Sequence, residues 1–589
     1  MDLGVIGNCR SAALIDRQGS MIWCCLPDFD SASVFAALLD DQKGGVFAIQ
    51  TDASYTIAQT YIPNTNVLKT TFDSPTGGFE LIDLMPRYKE NGHYYAPPEL
   101  IRYLHRTHGT PVFTVRYHPR LGYGRYETIS ASRENYIKSV VRCGTYESIY
   151  LYTNLAHADI LSEQPIALTE DAFFLLSYHQ KVRPVTLERV VLEFERTKVY
   201  WLDWVERTKS FKKWNAPIRR SALVLKLLSY QETGAIMAAI TTSIPESRGS
   251  GRNWDYRFCW IRDATMTLNM LTQLGHFNVA ERFFEYMLRV VPYKDDEIQI
   301  MYGIRGNKRL TERTLDWLAG YQGNKPVRIG NAAHSQRQHD IYGVLLNAIL
   351  KYVEVFRSHE STIEQLWTIT RSVVRIVMRT WQKPDVSIWE YRTNPGHFTF
   401  SKMLCWVALD RGIRIAELVG KQEQTTLWQI ERDRIQKDIL QQGWNARIGA
   451  FTQRYGSESL DASVLLMASY GFIDPLDPRF VSTVKTIQRE LCQDGLMFRY
   501  INDDDFGTPS SSFTVCSFWM VKALWQIGEQ DQACTMFDRL LTYANHLSLF
   551  SEDLDFKTKE QLGNFPQGYS HLALIDCALT LGNAPSRNL

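Results

Sequence analysis

The hydrophobic pattern of this 589-residue chain changes its period once, near residue 185. Before that point, β-branched and aromatic runs such as "SYTIAQTYI", "FELIDLM" and "VFTVRYHPR" are short and are separated by Asp, Gly, Pro and Asn. Runs of this length with turn residues between them are typical of strands. Residues 1–185 are therefore predicted to form an all-β sandwich domain.

After that point the apolar residues recur at helical spacing, and this pattern dominates the rest of the chain. Residues 186–220 are predicted to form a connecting helix and linker. Further on, a helix is predicted with Asp477 as N-cap, Pro478 in its first turn and Gly495 at its end. Another is predicted from Ser401 to a stop near Gly420.

Several of these predicted helices are apolar over much of their circumference. A helix with this pattern is buried on most sides, as happens when one layer of helices packs inside another. Residues 221–589 are therefore predicted to form a double ring of helices, an α/α toroid. Long loops are predicted at 247–252, 302–339, 381–400 and 548–567, and loops of this length often carry function.

The charge balance excludes several classes of partner. Lys and Arg number 65 against 64 Asp and Glu, so nucleic acid and anionic membrane surfaces are not expected. The N-terminus lacks the pattern of a signal peptide, no apolar stretch is long enough to span a membrane, and the ten cysteines include no C-x-x-C pair. A soluble cytoplasmic protein with reduced cysteines is expected.

No cofactor is expected either. The chain contains no Walker loop, no G-x-S-x-G and no Rossmann fingerprint. His334 and His339 lie beside Asp340 without a recognised ligand spacing, so no metal is predicted. Aromatic residues make up 12% of the chain, which fits either large aromatic cores or a site that stacks on sugar rings.

Four loop segments place acids next to aromatics and arginines: 253–264, 323–343, 387–392 and 549–571. Hydrolysis of a glycosidic bond needs two carboxyls, one protonated to assist the leaving group and one ionised either to activate water or to attack the sugar. Glu390 and Glu552 are the best candidates for this pair.

Each of these two residues also has an alternative interpretation. Glu390 follows Trp389, and an aromatic wall favours the protonated form of a carboxyl, but Glu390 is equally compatible with a surface ion pair to Arg392. Glu552 lies near other acids that would help to orient water, or simply belongs to a solvated acidic turn.

Asp263 also has two interpretations. It follows Trp260 and Arg262 at the start of a predicted helix, where Asp is a favoured N-cap. A carboxylate and a guanidinium at such a junction also suit adjacent hydroxyls of a terminal sugar, because they supply acceptors and fixed donors.

Five blocks of the chain resemble glycoside hydrolase family 15, the glucoamylase family, in its bacterial and archaeal branch that also contains trehalases. They are "GVIGNCRSAALIDRQGSMIWCCLPDFDSASVFAALL", "YIPNTNVLKTTF", "GRNWDYRFCWIRDA", "IWEYR…HFTFSKMLCWVALDR" and "SEDLDFKTKEQLGNFPQGYSHLALI". The resemblance implies a super-β-sandwich followed by an (α/α)6 barrel, no metal, and inversion of anomeric configuration.

The resemblance also implies residue roles. Glu390 would be the general acid and Glu552 the general base, about 6.5–9.5 Å apart to leave room for water. The residues implied to bind the terminal glucosyl unit or to wall its pocket are Tyr256, Trp260, Arg262, Asp263, Trp389 and Arg328. Residues 323–326 and 334–338 depart from the family pattern and are expected to border the subsite of the leaving group.

The leading functional hypothesis is an exo-acting, inverting α-glucoside hydrolase that acts on maltose-type, isomaltose-type or short glucan substrates. The alternative with the same mechanism is a trehalase. An inverting phosphorylase and a non-catalytic sugar-binding protein are the alternatives of another class. A small carbohydrate is the expected partner, and the sequence leaves a homo-oligomer open.

Overall fold

The computed structural model describes residues 1–291, 298–356 and 360–582. Strands dominate the chain up to Tyr178. They are β1 (Leu3–Gly7), β2 (Ala12–Asp16), β3 (Met21–Cys25), β4 (Ser33–Phe35), β5 (Val46–Gln50), β6 (Thr56–Tyr61), β7 (Leu68–Ser74), β8 (Gly77–Leu84), β9 (Tyr88–Glu90), β10 (His93–Tyr95), β11 (Glu99–Gly109), β12 (Val112–His118), β13 (Thr128–Ser132), β14 (Ile137–Val141), β15 (Ser148–Thr153), β16 (Ile166–Ala167) and β17 (Ala172–Tyr178).

Two antiparallel sheets account for most of these strands, as the alternating sequence predicts. One has the order β1-β2-β3-β5-β12-β16, with β4 beside β3; the other has the order β13-β14-β15-β17-β11-β8-β7-β6. The fully buried ion pair between Arg102 and Asp83 lies on the second sheet, and the Arg102 guanidinium donates to the carbonyl of Phe47 on the first. The two sheets are therefore joined by polar as well as apolar contacts.

Helices follow the sheets. They are α1 (His157–Leu161), α2 (Leu187–Glu206), α3 (Asn215–Leu227), α4 (Ile261–Gln273), α5 (Phe277–Val290), α6 (Asp340–Val355), α7 (Glu360–Thr380), α8 (Thr399–Leu418), α9 (Thr426–Gln442), α10 (Pro478–Leu491), α11 (Thr514–Gln526), α12 (Gln530–Leu541) and α13 (Gly568–Gly582).

The helices from α3 onward form two concentric rings. The inner ring contains α4, α6, α8, the short 3₁₀ segment Ala462–Leu466, α11 and α13, and it closes because α13 packs against α4. In α8, 16 of 20 residues are buried, whereas in the outer helix α9 only 3 of 17 are. The predicted β-sheet domain and helical barrel are both confirmed.

Helix ends follow local chemistry. The side chain of Asp477 accepts a hydrogen bond from the backbone N–H of Arg479, so it caps α10 as predicted. The predicted end at Gly495 is wrong, because α10 ends at Leu491. Residues 492–493 instead pair with 496–497 as a hairpin, and Gly495, with φ of +80°, lies in its turn.

Short strands hold the long loops of the helical domain in place. They are β18 (Cys259–Trp260), β19 (Met301–Tyr302), β20 (Arg313–Thr314), β21 (Arg328–Ile329), β22 (Trp444–Asn445), β23 (Ala450–Phe451), β24 (Cys492–Gln493), β25 (Leu496–Met497), β26 (Ser512–Phe513), β27 (Asp553–Leu554) and β28 (Gln561–Leu562). Residues 583–589 of the predicted C-terminal domain lie outside the described residues. Among the described helices, none is both long and apolar enough to cross a bilayer.

The β-sheet domain supports the segment that leads into α4. The indole N–H of Trp23 donates to the carbonyl of Ile240 at 2.9 Å. The Arg257 guanidinium, which is paired with Asp255, donates to the carbonyl of Ser31. Buried hydrogen bonds of this kind fix the loop between α3 and α4 against the sheets.

Candidate active site

A cavity of about 820 Å³ opens among the loops that precede the inner helices α4, α8, α11 and α13. Seven of the eight residues predicted for the site line it: Tyr256, Trp260, Arg262, Asp263, Trp389, Glu390 and Glu552. The helical rings therefore bring together residues that are up to 296 positions apart in the chain.

Arg262 and Asp263 lie in the first turn of α4. The N-cap of this helix is Trp260, so the N-cap interpretation of Asp263 is wrong. Asp263 Oδ1 instead accepts a hydrogen bond from Arg262 Nε at 3.0 Å, and Arg262 Nη1 also donates to Gln338 and Asp340. The guanidinium is thus held in one orientation at the cavity wall.

Burial raises the pKa of the Asp263 carboxyl, and the neighbouring Arg262 opposes that rise by attraction and hydrogen bonding. Asp340 has the same balance of causes, with burial first and Arg262 second. One guanidinium therefore compensates two buried carboxyls. Of these two carboxyls, Asp263 lines the cavity and Asp340 does not.

Glu390 has an unusual backbone. Its φ is +61°, a left-handed conformation that is uncommon for a residue with a side chain. The indole N–H of Trp260 donates to Glu390 Oε1 at 2.9 Å. The alternative ion pair to Arg392 is wrong, because Arg392 binds Glu312. Backbone strain of this kind is often found at functional positions.

Burial also raises the pKa of Glu390. The positive charge of Arg262 and the hydrogen bond from Trp260 oppose this rise, and the negative charge of Asp263 adds to it. Desolvation therefore favours the protonated form of Glu390, and the nearby cation favours the ionised form.

Glu552 is 1% exposed and immediately precedes β27. The hydroxyl of Tyr256 donates to its Oε1 at 2.6 Å, and the backbone N–H of Asn564 donates to its Oε2 at 3.2 Å. The interpretation as a solvated acidic turn is wrong for Glu552, although Asp555 does lie in such a turn, where it accepts hydrogen bonds from two backbone N–H groups.

Gly563 leaves room for the Glu552 side chain. Its φ is +72°, and a Cβ atom there would lie 2.6 Å from both the Cβ and Oε2 of Glu552. Any larger residue would therefore displace the carboxyl.

The surroundings of Glu552 are acidic. Burial and, next, the negative charge of Glu246 raise its pKa to about 8, while the hydrogen bonds from Tyr256 and Asn564 lower it. Asp553, the following residue, also has a pKa well above its usual value, first because of burial and then because of Glu552. The neighbouring cation, Arg499, donates to Glu246 at 2.6 Å.

An aromatic pair connects the two glutamates. Tyr256 and Trp260 make an edge-to-face contact with ring centroids 5.2 Å apart, and each donates a hydrogen bond to one of the two carboxyls. Trp389 forms another part of the wall and is fixed by its indole N–H, which donates to Asp461 at 2.8 Å. The arrangement presents two carboxyls and several ring faces to one small ligand.

Arg328 is the predicted site residue that does not line the cavity. Its guanidinium lies 4.5 Å from the ring centre of Trp254, and that of Arg392 lies 4.4 Å away. Trp254 does line the cavity, and its indole N–H donates to Glu246 at 2.9 Å. Arg328 thus supports a wall residue from outside the cavity.

Several cavity residues were not predicted from the sequence: Glu246, Arg252, Trp254, Arg499, Asp504, Phe506 and Tyr569. Arg252 and Asp504 form a bidentate ion pair at 2.6 and 2.8 Å across 252 positions of the chain. The acidic run "INDDDFG" at 501–507 was the available signal, since it combines turn residues with an aromatic in the manner of the other site loops.

Residues 323–326 and 334–338 were expected to border the subsite of the leaving group, and this stays a prediction. Within the part of the chain that the structure describes, neither segment lines the cavity. Gln336 donates to the backbone carbonyl of Glu390 and Gln338 accepts from Arg262, so both lie behind the wall. Gln336 and Gln338 therefore support residues of the cavity wall from behind.

Comparisons with known proteins agree with this architecture. The model of the family described as glycosyl hydrolases family 15 matches residues 215–579, and a model described as trehalase-like, N-terminal matches residues 2–188. In fold, the chain is similar to a bacterial glucoamylase complexed with acarbose, with a TM-score of 0.71 and 13% identity over 98% of this chain and 93% of that one.

Curated relatives are similar over nearly the full length. A protein named trehalase from Mycobacterium tuberculosis is 37% identical over 98% of this chain and 89% of its own length. Another protein named trehalase, from Thermoplasma volcanium, is 34% identical over 99% of this chain and 93% of its own.

Proposed function

Because the chain belongs to glycosyl hydrolases family 15 and is a glycoside hydrolase, we propose that it hydrolyses α,α-trehalose. The observation that carries this proposal is the full-length similarity to relatives named trehalase, each above 30% identity. Trehalose, which the sequence analysis gave as the alternative substrate, is thus better supported than maltose-type or isomaltose-type substrates. The likeness to the bacterial glucoamylase, at 13% identity, supports the fold alone.

In the proposed reaction Glu390 is the general acid. It gives its proton to the oxygen that links the two glucose units, and the bond from that oxygen to the anomeric carbon breaks. Burial favours the protonated carboxyl that this step needs. The Trp260 indole N–H orients the side chain and stabilises the carboxylate left behind.

Glu552 is the proposed general base. It removes a proton from a water molecule, whose oxygen bonds to the anomeric carbon on the face opposite to the leaving group. The products are one β-glucose and one glucose from the leaving group. The hydrogen bonds from Tyr256 and Asn564 support this role, because both favour the ionised carboxyl.

Arg262 and Asp263 are proposed to hold hydroxyls of the glucosyl unit, since they offer fixed donors and an acceptor at the wall. Tyr256, Trp260 and Trp389 are proposed to pack against that unit. Arg328 has a supporting role through Trp254.

Two functions other than hydrolysis can be tested against this proposal. An inverting phosphorylase would use phosphate in place of water, and a sugar-binding protein would not turn over substrate. The presence of both Glu390 and Glu552 at one cavity favours the hydrolase. A cytoplasmic location and a homo-oligomer stay predictions.

Proton NMR of fresh reactions tests the substrate and the stereochemistry together. Trehalose, maltose, isomaltose and maltotetraose are each supplied with and without phosphate. We expect trehalose to turn over without phosphate and to release β-glucose before mutarotation. Turnover of maltose in preference to trehalose would contradict the proposed substrate, and β-glucose 1-phosphate as the product would contradict the role of Glu552.

A further inference from the structure

A second cavity, of about 1010 Å³, lies between the two parts of the molecule. It is lined by the β9–β10 hairpin, the connector helix α2, the end of α3 and the start of α5. Four cations line it, Lys89, Arg207, Lys226 and Arg282, against one acid, Asp203, which pairs with Arg207 at 2.6 Å. The cavity is therefore strongly cationic.

Lys226 is the least compensated of these cations. Its side chain lies in α3 and the residue is 8% exposed, yet no acceptor or acid contacts its ammonium group among the residues that the structure describes. Its pKa is lowered to about 8, first by burial, which Cys9 opposes, and then by the positive charges of Arg87 and Arg282. A buried cation without a partner costs free energy that an anion would recover.

The N-terminus of α5 faces the same cavity. Residues 275–279 line it, and His276, the N-cap, makes no side-chain hydrogen bond to the helix. Its ring is engaged elsewhere, because it stacks on Trp204 at 3.8 Å and contacts the Thr208 hydroxyl at 2.9 Å. The first turn of α5 has no acidic residue. The positive end of the helix dipole favours an anion there, although the Val279 N–H already donates to the His276 carbonyl.

Aromatic side chains extend the cavity beyond the size of a simple anion. Tyr94 and Phe277 line it and are 41% and 40% exposed, and Tyr200 lies near Tyr94 in edge-to-face contact. Exposed rings at a cavity mouth provide flat surfaces on which a sugar or a base can pack.

We propose that this cavity binds the phosphate monoester of a sugar or of a nucleoside. The phosphate would lie between Lys226, Arg282 and the N-terminus of α5. Its two negative charges would meet the Lys226 ammonium and the Arg282 guanidinium, which donates to the carbonyl of Gln231. The ring would pack on Tyr94 and Phe277. The site is separate from the cavity of Glu390 and Glu552, with which it shares no lining residue.

Isothermal titration calorimetry with the full chain tests this proposal. The probes are a hexose 6-phosphate, a nucleoside 5′-monophosphate, inorganic phosphate and sulfate, all at one ionic strength. We expect at least one of the two ring phosphates to bind about tenfold or more tightly than inorganic phosphate or sulfate. Whichever binds more tightly identifies the sugar or the base as the preferred ring.

Lys226→Met is expected to weaken that binding by about tenfold or more, the usual loss for one charged hydrogen bond. Lys212→Met, at an exposed lysine outside the cavity, is the matched control and is expected to change nothing. Circular dichroism verifies that each variant is folded, and Arg282→Gln is the second variant if Lys226→Met is not.

Absence of binding by both ring phosphates would overturn the proposal. Equal binding of ring phosphates and inorganic phosphate would overturn the assignment of the ring. Tight binding that neither Lys226→Met nor Arg282→Gln weakens would place the ligand elsewhere.

Discussion

Glu390 and Glu552 line the same cavity and are both desolvated, but their neighbours differ in charge. Glu390 has a guanidinium, Arg262, as its largest opposing influence, whereas Glu552 has another acid, Glu246, that adds to the effect of burial. The backbone differs too. Glu390 lies in a loop with φ of +61°, and Glu552 adjoins a three-stranded sheet. The charges of the neighbouring side chains, and not burial alone, therefore distinguish the two carboxyls.

This difference in neighbouring charge opposes the proposed roles, in which Glu390 is the protonated acid and Glu552 is the ionised base. The cation beside Glu390 favours its ionised form, and the acids beside Glu552 favour its protonated form, with a pKa of about 8. Glu552 is also linked to its neighbour Asp553, whose raised pKa has Glu552 as its largest cause after burial.

The largest expected effect comes from removing either carboxyl. Glu390→Gln and Glu552→Gln are each expected to lower kcat for trehalose by about 10²–10⁴-fold or more, the usual range for one acid or base. Steady-state kinetics measure it. Glu560→Gln, at an acid in the loop between β27 and β28 that is paired with Arg248 outside the cavity, is the control. A variant that keeps a near wild-type rate would remove that residue from the mechanism.

Asp263→Asn is expected to lower kcat/KM for trehalose by roughly 10²-fold, because the glucosyl unit loses a positioning acceptor. The matched control is Asp477→Asn, at a carboxylate that does cap a helix. It is expected to leave the kinetics unchanged. A change in thermal stability alone for Asp263→Asn, with normal kinetics, would contradict the positioning role.

Two substitutions move the pKa of Glu552 in opposite directions. Glu246→Gln removes a negative charge that raises it, and Tyr256→Phe removes a hydrogen bond that lowers it. The limb of the pH profile of kcat/KM that is set by Glu552 is therefore expected to move to lower pH in the first variant and to higher pH in the second. Shifts in the same direction would show that another group sets this limb.

The smallest expected effect is on stability. The pKa of folded Glu552, about 8, lies above the ordinary value of 4.5. Between these pH values the unfolded chain releases a proton that the folded chain retains, so this residue lowers stability increasingly as pH rises. Glu552→Gln is expected to raise Tm by a few degrees near pH 8 and not below pH 4.5. Calorimetry showing an equal gain at both pH values would contradict this cause.

Local patterns in the sequence were sufficient for much of the fold. Strands such as β8 and β12 follow from short β-branched and aromatic runs, and Asp477 follows from N-cap preference. Glu390 and Glu552 were selected because acids in aromatic loops suit glycoside hydrolysis and because their blocks resemble one family. These signals are all local, within about 20 residues.

The remaining parts of the site depend on long-range pairing, which periodicity does not encode. Arg499 meets Glu246 across 253 positions and Arg252 meets Asp504 across 252. The end of α10 was missed because the hairpin at 492–497 competes with the helix, and Gly495 suits the turn of that hairpin. The sequence was sufficient to propose the two glutamates, and tertiary structure was needed to identify their neighbours.

The most direct test of the two roles compares trehalose with α-glucosyl fluoride, whose leaving group departs without protonation. A general acid is dispensable for the fluoride, and a general base is not. We predict that Glu390→Gln loses trehalose hydrolysis but retains most of the wild-type rate on the fluoride, while Glu552→Gln loses both. The reverse pattern, with the fluoride cleaved by Glu552→Gln and not by Glu390→Gln, would contradict the proposed assignment.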